Sequence, residues 1–363
     1  MRVALLDGAV DLAFLKNVKN LNVHIHGAYN ALSGEVTEDE IPAHGMTHAS
    51  VCAGIFLSKV KVPCELWCIR VLDGDSLRGN VDALLAALDF CVKQRMDIVN
   101  LSVGTTRIRD GERLSLKIRE LADCGAAIIA AESNRKLLTF PAALEQVIGV
   151  REDTPSNRRC FSDSILYRSE RKVFTYEKQS VVTGNYNSYA APAVTAEVCR
   201  FRKDGITDTG QISQMLKRLK NVRENKWCCC TKTDKPVILL DIREDDTAVR
   251  CMEKILRYFE RNEYEGVCIS DTLQTDYAAG RLSLWQFARN ARRLQDRLGS
   301  LTSAVDADFV IWHINGLKTL KQYLRQIDIV VTDRTFEWRG WKNRVISDVL
   351  DEEALYGMLN DLT

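Results

Sequence analysis

The chain has 363 residues, of which 46% are hydrophobic and 27% are charged, so it is ordinary for a folded protein and long enough for two domains. Its formal net charge at pH 7 is only +1, which provides no bulk attraction to nucleic acid or to an anionic membrane. No stretch approaches the roughly 20 consecutive apolar residues that span a bilayer. We therefore expect neither a membrane protein nor a nucleic-acid partner.

The N-terminus runs from Met1-Arg2 directly into an apolar strand, without the positive, apolar and small-residue regions of a signal peptide. The chain also contains 12 cysteines, including the run Cys228-Cys229-Cys230. Without an extracellular targeting signal, so many thiols are typical of a reducing compartment rather than of a disulfide framework. These features predict a cytoplasmic protein.

Strands and helices are predicted to alternate through residues 1–225, which indicates a parallel sheet flanked by helices. The predicted strands are Arg2–Leu6, Glu65–Val71, Ile98–Val103, Ala126–Ala131 and Val147–Val150. Apolar residues recur at helical spacing in Val81–Gln94 and Leu114–Cys124, and a further helix is predicted over Ser188–Arg200.

A basic segment, Arg202–Lys235, follows, and we expect it to close the first domain and to include a linker over residues 226–235. Its charges could contact nucleic acid, but no aromatic or motif context supports that, and a solvated helix face is the favoured interpretation.

A second alternation of strands and helices begins at Pro236 and predicts a smaller open α/β domain over residues 236–363. The predicted strands are Val237–Ile242, Gly266–Ser270, Phe309–Ile314 and Ile327–Thr332. The predicted helices are Ala248–Phe259, Leu282–Leu298, Leu317–Gln326 and Asp351–Leu359. No glycine-rich phosphate-binding pattern follows these strands, so a nucleotide site is disfavoured, and the domain is a candidate for binding substrate or a partner protein.

Three stretches of the first domain contain, in chain order, an aspartate, a histidine and a serine suited to nucleophilic catalysis. They are Val3–Gly8 with Asp7, His44–Ser50 with His44, and Asn187–Pro192 with Ser188. A serine hydroxyl attacks well only when a base takes its proton, and histidine serves best when a carboxylate fixes its tautomer. The order Asp, His, Ser is the one found in subtilisin.

These stretches resemble the subtilase family of subtilisin-like serine peptidases. In that family an apolar strand ends in the catalytic aspartate, which matches Asp7. The second family motif, His-Gly-Thr-His followed by small residues, aligns without gaps when His44 is the base. The third motif, Gly-Thr-Ser-x-Ala-x-Pro, matches residues 188–192 in its second half. Over residues 1–225 the resemblance implies a subtilisin-like α/β fold and a serine endopeptidase that needs no cofactor.

Two further stretches strengthen the resemblance. Ile128–Asn134 is similar to the strand that presents the family's oxyanion-hole asparagine, which makes Asn134 the expected oxyanion donor. Ile98–Gly104 resembles the strand beside the substrate, so Ser102, Val103 and Gly104 are expected to bind the substrate backbone. The family builds its first specificity pocket from this stretch and from the residues just before the asparagine. Those residues are Glu132 and Ser133 here.

The direction of the Glu132 side chain decides the expected specificity. A carboxylate that faces the pocket would favour a basic residue before the scissile bond, whereas one that turns away into a salt bridge would not.

The sequence departs from the family pattern close to the expected nucleophile. Tyr186-Asn187 replaces Gly-Thr directly before Ser188, and Met46 replaces a threonine. Loss of a glycine could crowd the backbone at the turn into the nucleophile's helix. An active peptidase is the favoured hypothesis, and a catalytically inert protein that binds a peptide or acts as a scaffold is the alternative.

Other residue groups could hold a metal, although none is predicted to do so. His44 and His48 are four residues apart, but the subtilase match explains His44, and His48 is expected at the helix surface or in packing. His24 and His26 would share one face of a strand, but no third ligand lies nearby in the sequence. Cys64, Cys68 and the cysteine run have spacings that match no standard ligand set. Asp241, Asp271 and Asp333 each follow a predicted strand and could hold Mg²⁺, but aspartate is also common in turns. Calcium binding stays open.

Together these features predict a peptidase that acts on a peptide or protein substrate. The resemblance implies that secreted members carry an inhibitory prodomain, and we expect none here. A cytoplasmic peptidase without such a restraint needs narrow specificity, for which processing of a dedicated precursor peptide, such as leader removal, is an analogy.

Overall fold

Two sheets with mostly parallel strands, one in each part of the chain, organise the computed structural model. It describes residues 1–18, 20–37, 46–73, 79–157, 159–160, 164–223, 226–227, 235–270, 281–283, 294–314, 327–332 and 344–346, and residues 353, 356, 357 and 360. The chain divides into two units, Met1–Lys226 and Trp227–Thr363.

The first unit contains twelve strands among its described residues, apart from the short strand at its end. They are β1 (Arg2–Asp7), β2 (Val23–Asn30), β3 (Glu35–Thr37), β4 (Cys64–Arg70), β5 (Ile98–Leu101), β6 (Ala127–Ala131), β7 (Val147–Glu152), β8 (Arg159–Cys160), β9 (Ile165–Tyr167), β10 (Val173–Tyr176), β11 (Gln179–Val182) and β12 (Val222–Arg223). A short strand, β13 (Lys226–Trp227), includes the last residue of this unit.

Nine of these strands form one sheet in the order β12-β9-β7-β6-β5-β1-β4-β2-β3, counted over the described residues. Neighbouring strands are parallel except at the two edges, where β3 pairs antiparallel with β2 and β12 with β9. β10 and β11 form a separate antiparallel pair. All five predicted strands are confirmed. They were recognisable because parallel strands buried on both faces are continuous apolar runs, as in β1, where Val3, Ala4 and Leu6 are fully buried.

The helices of the first unit cover the faces of this sheet. They are α1 (Leu12–Val18), α2 (His48–Lys59), α3 (Val81–Lys93), α4 (Ile108–Asp123), α5 (Asn187–Lys203) and α6 (Thr209–Lys217). α2 packs against α5, α5 contacts β5, β6 and β7, and α3 packs against α4. The small residues of α5, including Ala190, Ala191 and Ala193, are fully buried, so the helix lies close to the sheet.

The second unit contains a parallel sheet of its own. Its strands are β14 (Val237–Asp241), β15 (Gly266–Ser270), β16 (Arg281–Ser283), β17 (Phe309–Ile314), β18 (Ile329–Thr332) and β19 (Arg344–Ile346), with helices α7 (Asp245–Arg261) and α8 (Leu294–Ala304). Among the described residues the strand order is β16-β15-β17-β14-β18-β19, and every pair is parallel. The predicted α/β class and the four predicted strands are confirmed.

One helix of the second unit was predicted incorrectly. Residues 281–283 form β16 beside β15, so the helix expected over Leu282–Leu298 does not begin there, and α8 begins at Leu294. The apolar spacing from Leu282 onward favoured a helix, but hydrogen bonding to β15 makes residues 281–283 a strand instead. The helix predicted over Leu317–Gln326 lies outside the described residues, and residues 353, 356 and 357 of the predicted terminal helix are helical.

None of the helices that the structure describes combines the length and the apolar character needed to cross a bilayer.

Candidate active site

Asp7 lies at the carboxyl end of β1, in the middle of the first sheet. Asp7 is only 3% exposed, and its Oδ1 accepts a hydrogen bond of 2.8 Å from the main-chain N–H of Gly8. The carboxyl ends of parallel strands meet at one edge of the sheet, which is where α/β proteins place their functional groups. The fold therefore buries this carboxylate where side chains from other elements converge.

His48 is the first residue of α2 and contacts Asp7. Its Nδ1 lies 2.9 Å from Asp7 Oδ2 and 3.1 Å from Asp7 Oδ1. The preceding residue, Thr47, caps the helix by accepting a hydrogen bond of 3.1 Å from the N–H of Ser50, and its own hydroxyl donates to the carbonyl of Ala9 at 2.6 Å. The cap thus fixes the start of α2 beside the loop that follows Asp7.

Ser188 completes the hydrogen-bonded chain from the opposite helix. It is the second residue of α5, and its Oγ lies 2.9 Å from His48 Nε2. The structure therefore brings Asp7, His48 and Ser188 into one chain of hydrogen bonds, in which the two ring nitrogens of the histidine face the carboxylate and the hydroxyl.

The position between Asp7 and Ser188 had been predicted for His44, and this prediction is corrected. His48 occupies it, whereas His44 lies outside the described residues. The expectation that His48 serves only in packing or at the helix surface was wrong for the same reason. The signal that identifies the correct residue is Thr47, because a threonine directly before an apolar run is a helix N-cap and makes His48 the first helical residue.

Cys52 is a further neighbour of His48 in the candidate site. It follows His48 by one helical turn and is 2% exposed, and its Sγ lies 3.8 Å and 3.9 Å from the two ring nitrogens. The thiol also donates to the carbonyl of Ser188 at 3.4 Å. Burial raises the pKa of the Cys52 thiol, so it stays protonated near neutral pH.

The electrostatic surroundings of His48 favour its protonated form. Burial alone would lower the pKa of the imidazole, while the Asp7 carboxylate, which is hydrogen-bonded to Nδ1, raises it above the ordinary value of 6.5. Because the Cys52 thiol is neutral near neutral pH, Asp7 is the group that stabilises the imidazolium there. A carboxylate in this position is what a histidine needs to accept a proton from a hydroxyl.

An aromatic side chain, Tyr189, packs on the imidazole of His48. The two rings are nearly parallel, with centroids 5.3 Å apart and an interplanar angle of 21°. Tyr186 then meets Tyr189 edge to face at 5.6 Å. Tyr189 is 8% exposed and Tyr186 is 54% exposed, so the unusual residue before the nucleophile turns outward and does not lie between His48 and Ser188.

Asn134 and Ser133, which follow β6, lie against the start of α5. The Oδ1 of Asn134 accepts a hydrogen bond of 3.0 Å from the main-chain N–H of Asn187. The carbonyl of Ser133 accepts one of 3.2 Å from the Asn187 side chain. The structure therefore brings the expected oxyanion donor to the helix that carries Ser188.

Glu132 faces the interior rather than the substrate cleft. It is 6% exposed, and its carboxylate forms an ion pair with the buried Arg151 and accepts a hydrogen bond from Ser164. The salt-bridge alternative is thus the correct one, and Glu132 does not contribute a negative charge to the first specificity pocket. Its expected role as a substrate-binding side chain is corrected accordingly.

The stretch expected to bind substrate follows β5. The Ser102 hydroxyl donates to the carbonyl of Ser188 at 3.4 Å, and its main-chain N–H donates to the carbonyl of Leu6 at 3.1 Å. Val103 is half-buried and Gly104 is exposed. A Cβ on Gly104 would lie 2.7 Å from the carbonyl oxygen of Phe140, so the close approach of two backbones requires glycine there.

The candidate metal groups are placed as follows. Among the described residues, the cluster with suitable geometry is Asp7, His48 and Cys52, whose ligand atoms lie within 4.8 Å of one another, and these are the groups of the hydrogen-bonded chain. His24 and His26 are exposed, with ring centroids 5.6 Å apart. Cys64, Cys68 and Asp241 are buried, the two cysteines as free thiols. Asp271, Asp333 and Cys228–Cys230 lie outside the described residues.

Comparison with known proteins places the first unit among peptidases. The model of the subtilase family matches residues 1–204. The Minor extracellular protease Epr of Bacillus subtilis (strain 168) is 27% identical over 188 residues, which are 48% of this chain and 29% of that protein. The chain therefore spans less than a third of the length of this curated relative.

Solved structures of two other proteases are also similar. The crystal structure of a cold adapted subtilisin-like serine proteinase is 17% identical, with a TM-score of 0.48, over 62% of this chain and 87% of that chain. The crystal structure of a lanthipeptide protease is 18% identical, with a TM-score of 0.45, over 60% of this chain and 79% of that chain. Since the family model covers more than half of the 363 residues, this chain belongs to the subtilase family of serine peptidases.

Proposed function

We propose that the first unit is a serine endopeptidase that uses Asp7, His48 and Ser188 as a catalytic triad. The observation that carries this proposal is the continuous chain of hydrogen bonds, 2.9 Å from Asp7 Oδ2 to His48 Nδ1 and 2.9 Å from His48 Nε2 to Ser188 Oγ. In this arrangement His48 takes the hydroxyl proton as Ser188 attacks the peptide carbonyl carbon, and later gives that proton to the leaving amine. A water molecule, activated by the same histidine, then hydrolyses the acyl-enzyme.

Negative charge develops on the substrate carbonyl oxygen during this attack. We propose that the Nδ2 donors of Asn134 and the main-chain N–H of Ser188, near the start of α5, stabilise it. Asn134 Oδ1 already accepts the N–H of Asn187, so its NH₂ group is the part left for an oxyanion. Removing such a donor costs about 10²–10³ in turnover in subtilisin. Asn134 is exposed, so Asn134→Ala is expected to fold while reacting poorly.

The substrate class that fits this site is an extended peptide. A peptide segment beside Ser102, Val103 and Gly104 would add a strand through main-chain hydrogen bonds, which give affinity with little sequence choice. The Glu132 carboxylate is paired with Arg151. We therefore expect that Glu132 does not make the first specificity pocket acidic and does not create a preference for a basic residue there. A narrow, precursor-processing role, a cytoplasmic location and a partner bound by the second unit stay predictions from the sequence.

The alternative, an inert peptide-binding or scaffold protein, rested on Tyr186 and Asn187. Tyr186 is 54% exposed, and Asn187 is buried and hydrogen-bonded, so neither separates His48 from Ser188. These positions favour the enzyme.

Labelling with a fluorophosphonate distinguishes the two hypotheses. The full chain and its Ser188→Ala variant are incubated with the probe, and the intact masses are measured. A covalent adduct on the wild-type chain that is absent from Ser188→Ala supports the peptidase. If the wild-type chain forms no adduct, the proposal is wrong and the inert module is favoured.

A further inference from the structure

Asn187, the residue directly before Ser188, makes an unusually complete set of side-chain hydrogen bonds. It is fully buried at the first position of α5. Its Oδ1 accepts from the main-chain N–H of Glu152 at 3.0 Å and from Asn157 Nδ2 at 2.9 Å. Its Nδ2 donates to the carbonyl of Glu132 at 3.0 Å and to the carbonyl of Ser133 at 3.2 Å. One side chain therefore joins α5 to the ends of β6 and β7.

The chemistry of this position suits asparagine in particular. A primary amide offers two N–H donors and two acceptor lone pairs, and all four are used here. An aspartate of the same shape would place an oxygen against the carbonyls of Glu132 and Ser133, which have no hydrogen to donate. A threonine offers a single hydroxyl and could satisfy only part of the set. The four hydrogen bonds together therefore require a primary amide at this position, and another small polar side chain would not form all of them.

The main chain of the same residue contacts the oxyanion asparagine. The N–H of Asn187 donates to Asn134 Oδ1 at 3.0 Å. Only the oxygen of a side-chain amide can accept a hydrogen bond from a main-chain N–H. This bond therefore fixes which end of the Asn134 amide is oxygen and which is NH₂. The Asn187 side chain anchors the residue whose N–H makes this bond, and it does so partly through Glu132 and Ser133, the two residues before Asn134.

We propose that Asn187 is a positioning residue for the oxyanion hole, which holds the Asn134 amide in the orientation that presents its NH₂ group to the substrate oxygen. This inference rests on the proposed peptidase function. It assigns a role to a residue at which the chain departs from the family pattern, and it explains how the site tolerates that departure.

The test is a double-mutant cycle, read as the second-order rate constant for acylation by a fluorophosphonate, whose phosphoryl oxygen occupies the oxyanion site. We compare the wild-type chain with Asn187→Asp, Asn134→Ala and the double variant. Asn187→Asp is expected to lower the rate by about tenfold to 100-fold, within the range for a lost oxyanion donor. In the Asn134→Ala background the same change is expected to lower it by less than about threefold, because residues in one network are not additive.

Asn20→Asp is the matched control. Asn20 Nδ2 also donates to two main-chain carbonyls, those of Leu57 and Val60, but at the opposite end of α2 from His48. Its effect on the rate should be small and equal in both backgrounds. If Asn187→Asp does not fold, as judged by circular dichroism, Asn187→Ala, which removes all four side-chain hydrogen bonds without adding a charge, takes its place in the cycle and the same coupling is expected.

The possible results separate this inference from the proposed function. A wild-type chain that does not react with the probe contradicts the peptidase itself. A reactive wild type in which the Asn187 substitution costs the same factor with and without Asn134 contradicts the positioning role and leaves the peptidase intact. The pH at which the Asn187→Ala rate is half-maximal should match the wild type, because the substitution acts through Asn134 and not through His48.

Discussion

His48 Nε2 lies 2.9 Å from Ser188 Oγ although the two residues are 140 positions apart in the chain. The contact exists because α2 and α5 begin at the same edge of the first sheet, where β1 delivers Asp7. Each helix contributes a residue from its first turn, so the geometry of the site is set by where the two helices start.

The pH dependence of the reaction should reflect the charge on His48. A general base must be neutral, and the pKa of His48 is raised above 6.5, so the acylation rate should increase with pH and reach half its maximum above pH 6.5. The Asp7→Asn variant removes the carboxylate that raises this pKa. We expect a midpoint shifted to lower pH and a large loss of rate, on the order of 10⁴ for the corresponding change in a serine protease.

The same raised pKa should affect stability in the opposite direction. A group with a raised folded-state pKa binds its proton more tightly when folded, so its stabilisation is complete below the ordinary pKa of 6.5 and is lost as the pH rises through the folded value. Urea denaturation of wild type and His48→Ala across this range measures the difference. An acylation rate that falls as the pH rises above 6.5, or a stability advantage of the wild type over His48→Ala that grows as the pH rises above 6.5, would contradict the assigned charge state.

Tyr189 should assist the reaction through its ring and not through its hydroxyl. Removing the ring in Tyr189→Ala takes away the stacking on His48, and an aromatic pair contributes about 0.5–1.5 kcal/mol, so we expect a rate loss of up to about tenfold. The fold should also lose stability, because the side chain is mostly buried. Tyr189→Phe is the control, and it should retain the rate. Equal losses in the two variants would assign the effect to the hydroxyl instead.

Glu132 should matter for stability and not for specificity. Breaking one side of a buried ion pair costs about 3–5 kcal/mol, so Glu132→Ala should lower the urea midpoint strongly by leaving Arg151 unpaired. Glu145→Ala, at an exposed position, is the control and should change stability by less than about 0.5 kcal/mol. A peptide library in which Glu132→Ala specifically removes a preference for Lys or Arg would show that the carboxylate serves the pocket after all.

The sequence predicted the parts of this protein that depend on local pattern. Buried parallel strands are continuous apolar runs, so β1, β4, β5, β6 and β7 could be recognised with their ends within two residues. Asp7 and Ser188 could be found because the short stretches around them resemble motifs of the subtilase family.

The features that could not be predicted depend on contacts between distant residues. The family motif was aligned on His44, whereas the start of α2, set by the Thr47 cap, places His48 beside Asp7. The direction of Glu132 depends on Arg151, which is 19 positions away, and on Ser164, which is 32 positions away. The strand at residues 281–283 depends on its pairing with β15.

His48 is proposed as the base that activates Ser188, and the acylation kinetics of two histidine variants test this role most directly. His48→Ala is expected to reduce the fluorophosphonate rate to the level of Ser188→Ala, since losing either residue costs on the order of 10⁶ in subtilisin. His44→Ala is expected to lose far less. A His48→Ala variant that still reacts, or a His44→Ala variant as inactive as Ser188→Ala, would contradict the account.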